Sequence, residues 1–162
     1  MILSNSIAKF KSDLGELYSI EERDQIIALI FEELLGFNKI DLRFNGDQNL
    51  SPLIIEQLSI FSERLLMNEP IQYILGFSWF AGMKLKVSSD VLIPRQETEE
   101  LVDWVVKENK SDNPSIIDLC TGSGCIALAL KKNIPGANLL AIDISGKAID
   151  LAKENSTTMD LC

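Results

Sequence analysis

Two groups of side chains in this sequence could do chemistry: the run Asp118-Leu119-Cys120-Thr121-Gly122-Ser123-Gly124 and, nineteen residues past Gly124, the acid Asp143. Gly122 and Gly124 let ligand oxygens approach backbone N–H groups without meeting a Cβ. A carboxylate at Asp143 can accept hydrogen bonds from ribose hydroxyls, the task of the acid that follows a glycine turn by about twenty residues in dinucleotide-binding units. Taken together, these residues point to an adenosine-containing ligand. The glycines do not follow G-x-G-x-x-G, and no Lys succeeds them as a phosphate loop requires. Asp118 would repel a pyrophosphate and tolerate a cation such as a sulfonium. An ordinary βαβ turn without a ligand is the alternative that spacing alone leaves open.

The elements that must position these groups follow from local pattern. Ile116 and Ile117 are β-branched and come after Pro114, which predicts a short buried strand ending near Leu119. Residues 121–124 form the turn, and Cys125 to Leu130 a helix whose first N–H groups face back toward it. Asn138 to Asp143 reads as a second strand. Ser145 can cap a last helix carrying Ala148, Ile149, Leu151 and Ala152. Residues 156–162 read as polar and irregular, with no third strand.

Upstream, Ile7, Phe10, Leu14 and Leu17 recur at helical spacing, with Lys9, Lys11 and Asp13 opposite. Ser19 and Glu22 have the form of a capping box for a helix that buries Ile26, Ile27, Ile30 and Leu34 and stops at Gly36. Ile40 to Phe44 is too short to assign, and Asn45-Gly46-Asp47 is a turn. Ser51-Pro52 starts a helix burying Ile54, Leu58, Phe61 and Leu65. Glu69-Pro70 interrupts the helical pattern, and the next short segment ends at Gly76. Phe77–Phe80 and Met83–Val87 flank Ala81-Gly82 as a hairpin, with Phe77, Trp79 and Phe80 expected to pack. Pro94 ends an extended run, and Glu97 to Val106 forms a helix expected to turn Leu101, Trp104 and Val105 inward, with acids in its first turn.

The chain has 162 residues, 46% of them hydrophobic, with a net charge of −9 and no histidine. That is a globular composition with enough apolar residues for a packed core. The negative charge argues against a nucleic-acid surface and suits a basic partner. Lack of histidine removes the usual neutral-pH base and a common metal ligand, so no metal is expected. No signal-peptide pattern or bilayer-length apolar run occurs, and the expected location is the cytoplasm, with no membrane partner. Cys120, Cys125 and Cys162 have no zinc-site spacing, and Cys120 and Cys125 read as small buried fillers.

The run Asp118 to Gly124, with Asp143 at the ribose-binding position, resembles the first motif of class I S-adenosylmethionine-dependent methyltransferases. Val91-Leu92-Ile93-Pro94-Arg95-Gln96-Glu97-Thr98-Glu99 is narrower: it is similar to the Ile-Pro-Arg-Pro-Glu-Thr-Glu element of peptide chain release factor glutamine methyltransferases. Glu69-Pro70-Ile71-Gln72-Tyr73-Ile74-Leu75-Gly76 with Phe80-x-Gly82 also matches that family's linker and hairpin. The resemblance runs from about Asn68 to Asn155, and the helical N-terminus fits in length and type. Two departures stand out: Gln96 replaces a proline, and Cys120 the first glycine of the loop.

The resemblance implies an α+β chain in three parts: a helical substrate-docking domain over 1–68, a linker with a β-hairpin over 69–90, and over 91–162 the first part, about two strands, of a Rossmann-like methyltransferase domain. It implies S-adenosylmethionine as cofactor, held by Cys120, Thr121, Gly122, Ser123, Gly124 and Asp143, with Arg95, Glu97 and Thr98 beside the pocket. It implies peptide chain release factors as partners, methylated on the glutamine amide of Gly-Gly-Gln. The family's amide-gripping Asn-Pro-Pro-Tyr does not occur in residues 1–162, so no catalytic residue is assigned. These residues are expected to be the N-terminal portion of the enzyme and inactive alone. Alternatives are a non-catalytic release-factor-binding module, another class I amide or amine methyltransferase, and a nicotinamide dehydrogenase with a variant fingerprint.

Overall fold

A computed structural model describes residues 1–15 and 17–161; Cys162, one of the three cysteines, lies outside the described residues. Two compact units result, Met1–Leu75 and Gly76–Cys162. The first is helical and the second mixes helices with two small sheets, which makes the chain α+β as expected.

The first unit comprises α1 (Leu3–Leu14), α2 (Ile20–Leu35), α3 (Lys39–Phe44), α4 (Pro52–Leu66) and α5 (Ile71–Leu75). Ser19 starts α2 with a capping box: its Oγ accepts the Glu22 N–H at 3.2 Å, and the Glu22 carboxylate accepts the Ser19 N–H at 2.9 Å. Gly36 ends α2 at φ +69°, in the left-handed region. The segment too short to assign becomes α3 because Asn38 Oδ1 accepts the N–H groups of Ile40 and Asp41 at 2.7 and 3.1 Å. Ser51 caps α4, and Pro52 occupies its first turn. Leu3, Phe10, Leu14, Ile30, Phe31 and Leu65 anchor the core. Leu17 does not join them: α1 ends at Leu14 and Gly15 turns the chain at φ +51°, so helical spacing no longer aims Leu17 inward and it is exposed.

In the second unit β1 (Phe77–Phe80) pairs antiparallel with β2 (Met83–Lys86) across a two-residue loop, Ala81-Gly82, with φ of +47° and +68°. Positive φ at both positions gives a loop whose twist matches the strands. The Glu99 carboxylate accepts the Ala81 N–H at 3.0 Å. Strand alternation splits the aromatic cluster: Phe80 is buried, while Trp79, one residue out of phase, is exposed.

Next come α6 (Gln96–Glu108), β3 (Ser115–Leu119), α7 (Cys125–Asn133), β4 (Asn138–Ile142) and α8 (Gly146–Thr158). The buried face of α6 is set by Val102, with Val105 and Val106 three and four residues on, and not by Leu101 and Trp104, which flank that row and are exposed. Ser145 caps α8. That helix runs on to Thr158, so residues 156–158, read as irregular, are helical; the Thr157 and Thr158 hydroxyls donate to the Lys153 and Glu154 carbonyls one turn back, each at 2.9 Å, and so do not break it.

β3 and β4 run parallel, with Ile117 opposite Leu140 and Leu119 opposite Ile142. Ile116 and Leu139 join the core formed with α6 and α7. The opposite face is bare: Ile117, Leu119, Leu140 and Ile142 are 42–69% exposed, where a buried strand was expected. With helices on one side only, period-two alternation sends every second residue into solvent. Such a patch favours association. The double variant Ile117→Thr/Leu140→Thr should bind less of a hydrophobic dye and sediment with less oligomer than the parent; an unchanged oligomer fraction would show that this face does not drive association.

Candidate ligand-binding site

The loop between β3 and α7 is built from its own backbone outward. The Thr121 N–H donates to the Ile142 carbonyl at 3.0 Å, which ties the end of β3 to the end of β4, and the Thr121 hydroxyl donates to Asp118 at 2.7 Å. The Gly124 N–H donates to the Thr121 carbonyl at 2.9 Å, closing the turn. Residues 120, 122 and 124 all have positive φ, at +62°, +56° and +81°.

Asp143 follows β4 and comes back to this loop. Its Oδ2 accepts the Gly122 N–H and its Oδ1 the Ser145 N–H, each at 2.9 Å. These bonds, Ser145 foremost, hold the Asp143 carboxyl below its ordinary value. Each carboxylate oxygen keeps a further lone-pair direction for a hydroxyl. Among the described residues neither Asp118 nor Asp143 is in an ion pair. The loop therefore carries negative charge that a cationic ligand would offset.

The two glycines have different tasks. A Cβ on Gly122 would meet nothing within 4 Å, so its surface is open to a ligand. One on Gly124 would come 3.1 Å from the Ala152 Cβ, so the approach that requires Gly124 is that of α8 and not of a ligand. Thr121 and Ser123 are buried, at 5% and 2% exposure, and Gly124 is buried as well; Cys120, Gly122 and Asp143 keep accessible surface. Among the described residues the Ser123 Oγ has no hydrogen-bond partner within ordinary geometry. Burial, ahead of the opposing influence of the Ser123 hydroxyl, pushes the Cys125 thiol up.

Cys120 is exposed, unlike the buried filler expected, because its left-handed conformation turns the side chain off the strand. Arg95 stands at the N-terminal boundary of α6, and Glu97 and Thr98 lie in its first turn. Among the described residues no hydrogen bond or ion pair joins these three to residues 120–124. Gln96 is the first residue of α6, a position that proline suits but does not require. A cavity of about 370 Å³ between α7 and α8 touches Gly124 but neither Cys120 nor Asp143, so it lies off the accessible side of the loop. Sequence reasoning missed Asn155, buried under the loop, where its Nδ2 donates to the Ser123 carbonyl at 2.9 Å. The signal was an amide on the same helix face as Ala148, Leu151 and Ala152. No helix is long and apolar enough to cross a membrane, and no group of three metal-ligating side chains forms, both among the described residues.

A non-glycine residue in the left-handed region costs about 1–2 kcal/mol. Cys120→Gly removes that cost and returns about 0.5–1 kcal/mol of unfolded-chain entropy. The variant should gain about 0.5–1 kcal/mol of stability, read as a higher Tm in thermal unfolding; a lower Tm would mean that thiol contacts outweigh the strain.

Residues 6–76 match the PrmC N-terminal domain and residues 83–161 the methyltransferase small domain. Among similar curated proteins, the release factor glutamine methyltransferase of Flavobacterium psychrophilum is 38% identical over 160 residues, covering 96% of this chain and 56% of the relative. That of Bacteroides thetaiotaomicron is 42% identical over 153 residues, covering 94% and 55%, and that of Streptococcus pneumoniae 40% over 147 residues, covering 90% and 53%. The chain spans about half the length of the curated relatives it matches. With both domain matches in this order and relatives of one name across nearly its whole length, the chain belongs to the release factor glutamine methyltransferase family.

Proposed function

We propose that these residues form the docking and cofactor-binding portion of an enzyme that methylates the glutamine amide of Gly-Gly-Gln in peptide chain release factors, with S-adenosylmethionine as methyl donor. The observation that carries the reading is the Asp143 carboxylate drawn onto Gly122 beside open space. The names of the relatives supply the substrate class.

In this reading residues 1–68 dock the release factor, 69–90 link, and 91–162 bind the cofactor. When bound, S-adenosylmethionine supplies a methyl group activated by its sulfonium. Asp143 accepts the ribose hydroxyls: its Oδ2 is met by the Gly122 N–H and its Oδ1 by the Ser145 N–H, and a carboxylate oxygen can accept a second hydrogen bond. Cys120 and Gly122 border the ligand, while Thr121, Ser123 and Gly124 contribute backbone and hold the loop's shape. The carboxylates of Asp118 and Asp143, without an ion-pair partner among the described residues, favour a sulfonium over a pyrophosphate. Transfer to an amide depends on orientation and polarisation more than on a strong base, so a chain without histidine is no obstacle. Asn-Pro-Pro-Tyr does not occur in residues 1–162, and none of these residues is assigned the grip on the amide.

A second reading is a non-catalytic module that binds release factors. It is favoured by the excess of acidic over basic side chains in residues 1–75, which suits a basic partner. Fusing residues 1–162 to the remaining half of the Bacteroides thetaiotaomicron relative separates the two: methylation of a release factor supports the enzyme, and capture without methylation supports the module.

Calorimetric titration with S-adenosylhomocysteine should give binding that Asp143→Ala weakens at least tenfold, through loss of hydrogen bonds to a charged group. Absence of binding, or affinity indifferent to the substitution, overturns the cofactor assignment. The carboxyl is held below its ordinary value, so its contribution to binding is complete above the usual carboxylate range and is lost only as pH falls through the depressed pKa. With no histidine in the chain, affinity should stay flat from about pH 8 down to about pH 5. A step inside that window would show that another group governs binding.

A further inference from the structure

The open edge of β2 meets an unusual partner. In the hairpin the Val87 N–H bonds the Gly76 carbonyl, so the intervening register places the N–H and C=O of Lys86 on the side away from β1. Both are taken by one side chain. Asn155 Oδ1 accepts the Lys86 N–H at 2.7 Å, and Asn155 Nδ2 donates to the Lys86 carbonyl at 3.0 Å, as one residue of a third strand would. The same Nδ2 donates to the Ser123 carbonyl at 2.9 Å. At 2% exposure this amide is out of water, and one α8 side chain thus joins two backbone segments far apart in sequence. Ala152, one turn earlier on α8, sits against Gly124 and brings the helix close enough for the amide to reach.

We infer that Asn155 is a positioning residue for the ligand loop, its single amide fixing the Ser123 peptide to the edge of β2 so that hairpin and loop keep one geometry. This rests on the reading that the loop holds an adenosyl ligand. The side chain is buried behind Ser123 and acts only through the backbone it holds. Its chemistry is specific: an acceptor and a donor are needed for Lys86, and a second donor for Ser123. Alanine supplies none of these. Aspartate keeps the volume and the acceptor, yet in either ionisation state leaves at least one of the two carbonyls without its donor.

The test measures amide hydrogen exchange without ligand and titrates with S-adenosylhomocysteine, using the parent chain, Asn155→Ala and Asn155→Asp at a temperature where circular dichroism shows each fully folded. For both variants we expect exchange at the Gly122 and Gly124 amides to rise at least tenfold while α6 amides are unchanged, and Kd to rise about tenfold. A folded variant with a lower Tm but unaltered loop exchange and Kd makes Asn155 a stabilising residue only and overturns the inference. Should Asn155→Ala fail to fold, Asn155→Asp decides, because it retains the Lys86 N–H bond. Should the parent not bind S-adenosylhomocysteine, the cofactor reading falls, and loop exchange alone decides: faster exchange upholds the positioning role and unchanged exchange overturns it.

Discussion

A glycine loop that leaves one side open to a ligand must be closed on the other, and in this chain α8 does the closing. Gly124 lies so near Ala152 that a Cβ between them would be crowded, and the Asn155 amide holds the Ser123 carbonyl from beneath. Ser123 and Asn155 are both buried, and a buried carbonyl needs a donor, which the Asn155 amide supplies. The rest of the loop depends on that support. With residues 123 and 124 fixed, the Gly122 N–H meets the Asp143 carboxylate and the Thr121 N–H meets β4. The side that remains exposed presents open space at Gly122, a thiol at Cys120 and a carboxylate.

Backbone conformation shows where the design is tight. Cys120 adopts a left-handed conformation that glycine would adopt at no cost, and Ala81 does the same in the hairpin loop. Neither is relieved by a side chain able to bond its own backbone, as Asn or Asp could. The surrounding hydrogen bonds must over-determine both: Ala81 is held through its N–H by Glu99, and Cys120 lies between β3 and a loop tied at Thr121 and Gly122. Strain of about 1–2 kcal/mol at each is a sizeable part of a domain's net stability. It is tolerable because the bonds around it form together.

Much of the architecture was legible in the residues. Ser19 with Glu22, Ser51 with Pro52, Gly36, and Ser145 mark helix ends by local hydrogen bonding, and local rules place them correctly. The hairpin at Ala81-Gly82 and the strand–loop–helix unit from Ser115 were legible for the same reason. The errors share a cause of another kind. Leu17, Trp79, Leu101 and Trp104 are large and apolar, which predicts an interior place, yet each lies past a helix end or out of phase with a buried row. Hydrophobicity gives the tendency to be buried, whereas the phase of the element decides which member of a cluster achieves it. Asn38 shows the converse: a short polar residue turned an unassignable run into α3 by bonding two N–H groups.

By itself the sequence determined the order of elements, the α+β class and the acid-after-glycines arrangement, because these depend on spacing along the chain and on interactions within a few residues. Only the tertiary structure decided which glycine is left open and which faces a helix, that Asp143 closes on Gly122, and that Asn155 spans from Lys86 to Ser123. Those contacts join residues far apart in the chain, and their energies depend on distances of a few tenths of an ångström between packed elements. No pattern of residue types along one chain encodes a distance of that kind.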